Sequence, residues 1–106
     1  MVETQQYLYR IQPTRVEMLS QGPSVEEEAR VTEHFEYLQR LLAEGVLILA
    51  GRTLNTDPSA FGIVIFTAAS EAEARAIVDN DPAVKSGVMR AELYPYRVAL
   101  WRFEGL

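Results

Sequence analysis

His34 is the only histidine in the chain, and imidazole is the one side chain that ordinarily exchanges protons near neutral pH. It falls in a run where Val31, Phe35, Leu38 and Leu42 repeat at helical spacing. At about 100° per residue it lies about 60° round from Val31, beside Leu38 and Leu41. That is the buried edge of the helix. Two uses fit the place: a boundary histidine that fills space, and a general acid or base. Asp81 is similarly double. Followed by Pro82, it reads as a helix N-cap with proline at N1. A carboxylate is also the group that accepts a hydrogen bond from one ring nitrogen, fixes the tautomer and raises the basicity of the other.

Arg52 ends the apolar run Val46–Arg52, directly after Gly51. The glycine leaves room for close approach, and the guanidinium offers a two-pronged fork for a carboxylate or phenolate. The plainer alternative is a strand-end arginine reaching solvent. Arg10, Arg90 and Glu92 alternate with apolar residues, so they either line an open sheet face or pair with one another. Other chemistries find no support. Without cysteine, one histidine does not make a familiar zinc ligand set. Neither the phosphate-cradling G-x-x-x-x-G-K-[ST] nor G-x-G-x-x-G occurs, and no serine sits in a nucleophile-elbow context.

The elements that must position these residues follow from periodicity. Residues 4–12 alternate as a strand, with Tyr7, Tyr9 and Ile11 on one face and Leu8, Arg10 and Gln12 on the other. Residues 13–23, punctuated by Pro13, Gly22 and Pro23, read as an irregular connection long enough to line a cleft. Ser24 and Glu27 form a capping box for a helix whose core stripe is Val31, Phe35, Leu38 and Leu42 and whose end is Gly45. Strands follow at 46–52 and 61–67, joined by a hairpin loop rich in turn formers. Ser70 and Glu73 form a second capping box for a helix to about Val78. Asp81 then starts one more turn that Gly87 closes. Residues 88–103 carry a last strand or strand pair, with Pro95 as a break.

This is one α+β domain over 1–106 with β-α-β-β-α-β order: a ferredoxin-like, four-stranded antiparallel sheet with two helices on one face. The other face is also apolar, which predicts a homodimer that packs two sheets together as a dimeric α+β barrel. The net charge of −5 and the scattered basic residues argue against nucleic acid. No segment approaches the roughly 20 apolar residues of a membrane span. The expected location is the cytoplasm.

Taken together, His34-Phe35-x-Tyr37-Leu38, Leu49-Ala50-Gly51-Arg52 and Asp81-Pro82-x-x-x-x-Gly87-Val88 resemble the YCII (YciI-like) family, over about Tyr7 to Leu100. The resemblance implies the dimeric α+β barrel and a His–Asp site at His34 and Asp81. It also implies relatives that act as lyases or dehydrohalogenases on hydroxylated aromatic rings, with no metal or organic cofactor. The expected function is therefore a cofactor-independent lyase or isomerase. His34 would move a proton, Asp81 would orient it, and Arg52, with Gly51 and Arg10, would hold an anionic or phenolic ligand. The alternatives are a non-catalytic ligand-binding or sensing dimer, and a cofactor-free oxygenase role on the same fold.

Overall fold

The computed structural model describes residues 4–102. Its elements are β1 (Gln5–Pro13), α1 (Glu17–Ser20), α2 (Val25–Ala43), β2 (Leu47–Arg52), β3 (Gly62–Ala68), α3 (Glu71–Asp79), α4 (Pro82–Lys85) and β4 (Met89–Tyr96). The strands form one antiparallel sheet in the order β2-β3-β1-β4. This is the ferredoxin-like α+β fold. Tyr7, Tyr9 and Ile11 of β1 register opposite Phe66, Val64 and Gly62 of β3. Together with Leu38 and Leu41 of α2 and Ala74 and Val78 of α3, they make the core between sheet and helices. Leu8, Arg10 and Gln12 point to the face that no helix covers. No helix among the described residues is long and apolar enough to cross a membrane.

Local chemistry explains the helix ends. Ser24 Oγ accepts from Glu27 N at 3.1 Å while Glu27 Oε1 accepts from Ser24 N at 2.8 Å, a complete capping box. The second box is only half formed. Ser70 Oγ accepts from Glu73 N at 3.2 Å, but the Glu73 carboxylate reaches back one residue further, to Ala69 N. Gly45 and Gly87 close their helices in the left-handed region, at φ of +77° and +82°, where a side chain would be strained.

Three expectations change. The 13–23 connection contains α1, which buries Met18 and is tied down by Arg15. The Arg15 guanidinium donates to both Glu27 oxygens, at 2.9 and 2.7 Å, and to Gly22 O at 2.9 Å. The buried arc of α2 centres on His34, Leu38 and Leu41, leaving Phe35 and Leu42 at 61% and 58% exposure. The apolar repeat marks one flank of that arc, because a histidine with a buried partner takes a central place that hydrophobicity assigns to leucine. The last segment is a single strand. Pro95 lies within it, opposite Tyr7, because β4 is an edge strand and a residue without N–H is tolerated there. Residue 103, the far end of the expected segment, lies outside the described residues.

Candidate active site

Each side chain of the site comes from a different element. The site begins with Asp81, which stands between α3 and α4 and is fully buried. A lone buried carboxylate is costly, so its oxygens must find donors. Oδ1 accepts from Ala83 N at 3.0 Å, which is the N-cap interaction of α4. Oδ2 accepts from the Tyr9 hydroxyl at 2.7 Å. The His34 Nδ1 atom lies 2.9 Å from Oδ1 and 2.7 Å from Oδ2. Cap and histidine partner are thus the same carboxylate.

This arrangement fixes the ring. An ionised carboxylate only accepts, so Nδ1 must carry the proton, and in the neutral ring Nε2 is left with a lone pair. Nε2 makes no hydrogen bond to any described residue and is not sealed off; the His34 side chain keeps 11% of its surface. A neutral imidazole oriented this way can take up a proton at Nε2. The carboxylate at Nδ1 stabilises the cation that results.

The carboxylate's charge acts on two tyrosines, of which Tyr9 alone is bonded to it. Burial, then the adjacent Asp81 charge, pushes the Tyr9 phenol far above its ordinary range, so it stays a neutral donor. Tyr37 donates to Ile77 O at 2.8 Å and is pushed up to about 12, by burial first and by Asp81 second. Tyr9 is the residue that sequence reasoning missed. Its inward position on β1 marked it as core, although a buried tyrosine hydroxyl needs a partner.

The three proposed ligand-binding residues divide between the two sides of the sheet. Arg52 registers opposite Gly62, and Ala50 opposite Val64, which faces Tyr9. Arg52 is therefore on the side of the dyad, two residues further along β2, exposed and without an ion pair among the described residues. Gly51 and Arg10 belong to the opposite face. Arg10 pairs with Glu92, Nε to Oε1 at 3.1 Å, and its guanidinium lies 5.9 Å from the Phe61 ring centre. A hollow of about 260 Å³ is bounded by Gly51, Arg52, Thr53, Phe61 and Ile63. A larger one, about 350 Å³, lies between the 13–23 connection and the β2–β3 loop, with Gln12, Leu19, Pro58 and Arg90 in its walls. His34 and Asp81 line neither. Among the described residues, no three His, Asp or Glu side chains converge as a metal site would require.

Solved structures of like fold include 5-chloro-2-hydroxyhydroquinone dehydrochlorinase from Burkholderia phenoliruptrix AC1100, in complex with 2,5-dihydroxybenzoquinone. It is 20% identical, with a TM-score of 0.60 over 87% of this chain and 93% of that one. An uncharacterized protein from Thermotoga maritima is 13% identical, with a TM-score of 0.57 over 90% of this chain and 100% of that one. At these identities the likeness is one of fold. No curated protein matches the sequence. The model of the YCII-related domain matches residues 9–97, so the chain belongs to the YCII family.

Proposed function

We propose that this protein is a small-molecule enzyme of the lyase or isomerase type, in which His34 Nε2 moves a proton and Asp81 orients and charge-balances the ring. No metal or organic cofactor takes part in this reading. The observation that carries it is the satisfied carboxylate: with Tyr9, Ala83 N and His34 Nδ1 all on Asp81, one tautomer is enforced and one nitrogen is left over. Arg52 holds the anionic or phenolic group of the ligand, since it shares the dyad's side of the sheet and has an unengaged guanidinium. Gly51 leaves open space on the other face of the sheet, where a Cβ would meet no atom within 4 Å. Arg10 serves the far face, beside Phe61.

The working form is a homodimer joined through the helix-free sheet faces. Leu49, Phe61, Tyr94 and Tyr96 leave large apolar surface exposed on or beside that face, as a self-complementary interface requires. The family and the dehydrochlorinase fold neighbour suggest the ligands to try: hydroxylated aromatic and keto acids, and chlorinated hydroquinones. A thermal-shift screen on wild type finds binders, because ligand binding to the folded state raises its stability. Turnover of a hit by wild type, lost in His34→Ala, supports the enzyme. A second reading, a ligand-binding dimer without turnover, is favoured by one observation: the dyad lines neither hollow. In that case His34→Ala binds the hit as wild type does and neither protein converts it.

A further inference from the structure

Tyr9 is the one side chain of the buried network that proton transfer at His34 does not itself require. Its ring is fully buried and packs edge-on against Phe66, with centroids 5.8 Å apart and planes at 73°. Packing alone would be served equally well by phenylalanine. The hydroxyl instead reaches Asp81 Oδ2 at 2.7 Å, the same oxygen that His34 Nδ1 approaches at 2.7 Å. Two donors therefore divide Oδ2, while the third donor, Ala83 N, is on Oδ1, which His34 Nδ1 also approaches at 2.9 Å.

We propose that Tyr9 is a positioning residue for the site: by sharing Asp81 Oδ2 with the imidazole, its hydroxyl holds the carboxylate in place and tempers its pull on the Nδ1 proton. This rests on the reading of His34 and Asp81 as a proton-transfer pair. A hydrogen bond to the charged form of an acid spreads that charge, so a carboxylate that loses one donor binds its remaining donors more strongly. Of the other charged groups, Arg52 shares this side of the sheet, two residues beyond Ala50 on β2, and makes no ion pair or hydrogen bond to Asp81 among the described residues; the rest are committed or distant. Arg30, one turn before His34 on α2, pairs with Glu26 and Glu33. The Tyr37 hydroxyl goes to Ile77 O. The charged residues of α3 and α4, namely Glu71, Glu73, Arg75, Asp79 and Lys85, are exposed. Arg90 and Glu92 of β4 lie on the opposite face of the sheet.

A single histidine makes the test clean, because the imidazole gives one set of resonances. In ¹⁵N-labelled wild type, the ring should be the Nδ1–H tautomer with a downfield Nδ1 proton. In Tyr9→Phe, which keeps the ring packing, that proton should move further downfield as His34 becomes the sole side-chain donor to Oδ2. Tyr37→Phe also loses a hydrogen-bonded hydroxyl, half-buried and bonded to Ile77 O rather than to Asp81, and should leave the resonance where it is. An Nδ1 proton unmoved in Tyr9→Phe, or moved equally in Tyr37→Phe, overturns the role of Tyr9. If Tyr9→Phe does not fold, wild type still decides. The Tyr9 hydroxyl proton should exchange slowly and its shift should follow the protonation of His34; indifference to that protonation overturns the proposal. An Nε2–H tautomer in wild type would instead sink the proton-transfer pair itself. The expected Tyr9 result without turnover of any ligand would leave the shared oxygen standing and reject the enzyme.

Discussion

The carboxylate of Asp81 meets His34 Nδ1 with both oxygens, at 2.7 and 2.9 Å, while one of those oxygens also caps α4 through Ala83 N. Position and chemistry are coupled by this contact. The cap fixes Asp81 relative to α4, and the histidine fixes α2 relative to both. Removing the carboxylate therefore disturbs a helix start, an interhelical contact and a tautomer together.

Asp81→Asn separates these roles. The amide oxygen still accepts from Ala83 N, so α4 should form. A buried donor is left short of its partner, costing on the order of 1–3 kcal/mol in urea unfolding. The amide nitrogen donates to Nδ1 and turns the ring to the Nε2–H tautomer. Turnover should then fall by about two orders of magnitude or more, as wrong-tautomer variants do elsewhere. A variant as active as wild type would mean that the tautomer does not matter.

Acid stability should report the clamp on the 13–23 connection. The Arg15 guanidinium, and then the Ser24 N–H, hold Glu27 down to about 2, from an ordinary value of 4.5. A lowered folded-state value means the stabilisation is present above pH 4.5 and is lost as pH falls through about 2. In Arg15→Gln the stability curve should flatten in that window. An unchanged curve would show that the fork contributes nothing there.

The two serine caps should cost alike. Ser24→Ala and Ser70→Ala each remove one hydrogen bond, from Glu27 N and Glu73 N, while the backbone N–H groups of Ser24 and Ala69 still donate to Glu27 and Glu73. Each variant should lose on the order of 1 kcal/mol. Chemical denaturation of both variants tests this, and no measurable loss in either would refute it.

Sedimentation tests the assembly. Wild type should run at twice the 12.0 kDa chain mass at micromolar concentration. Leu49→Glu places a charge on the helix-free face and should give monomer. Wild type sedimenting as a monomer would remove the shared interface.

The order of elements, the sheet and most boundaries are legible in the sequence, because alternation in β1 and the capping pattern at Ser24 are local signals. What escaped is tertiary. Nothing near Met18 announces that α1 forms, since Arg15 must first find Glu27 twelve residues on. Hydrophobicity placed Phe35 and Leu42 in the core because it has no way to value a histidine with a buried carboxylate partner. The residues of the dyad were visible by type, and Asp81 as a cap by its proline. The Tyr9 hydroxyl was not, because its partner lies 72 positions away. Alternation along β2 already divides Arg52 from Gly51; which of the two shares the dyad's face required the register of β2 on β3, which a bulge between Leu47 and Leu49 shifts.

The central claim is that His34 transfers protons to and from a bound small molecule. It is tested most directly by following deuterium uptake from D₂O into the acidic C–H position of a ligand found in the screen, by NMR, with wild type and His34→Ala side by side. General acid–base catalysis is worth about 10²–10⁴-fold, so wild type should exchange the ligand at least about 100-fold faster than the variant. Equal exchange by the two proteins, with both folded and both binding the ligand, would contradict the claim.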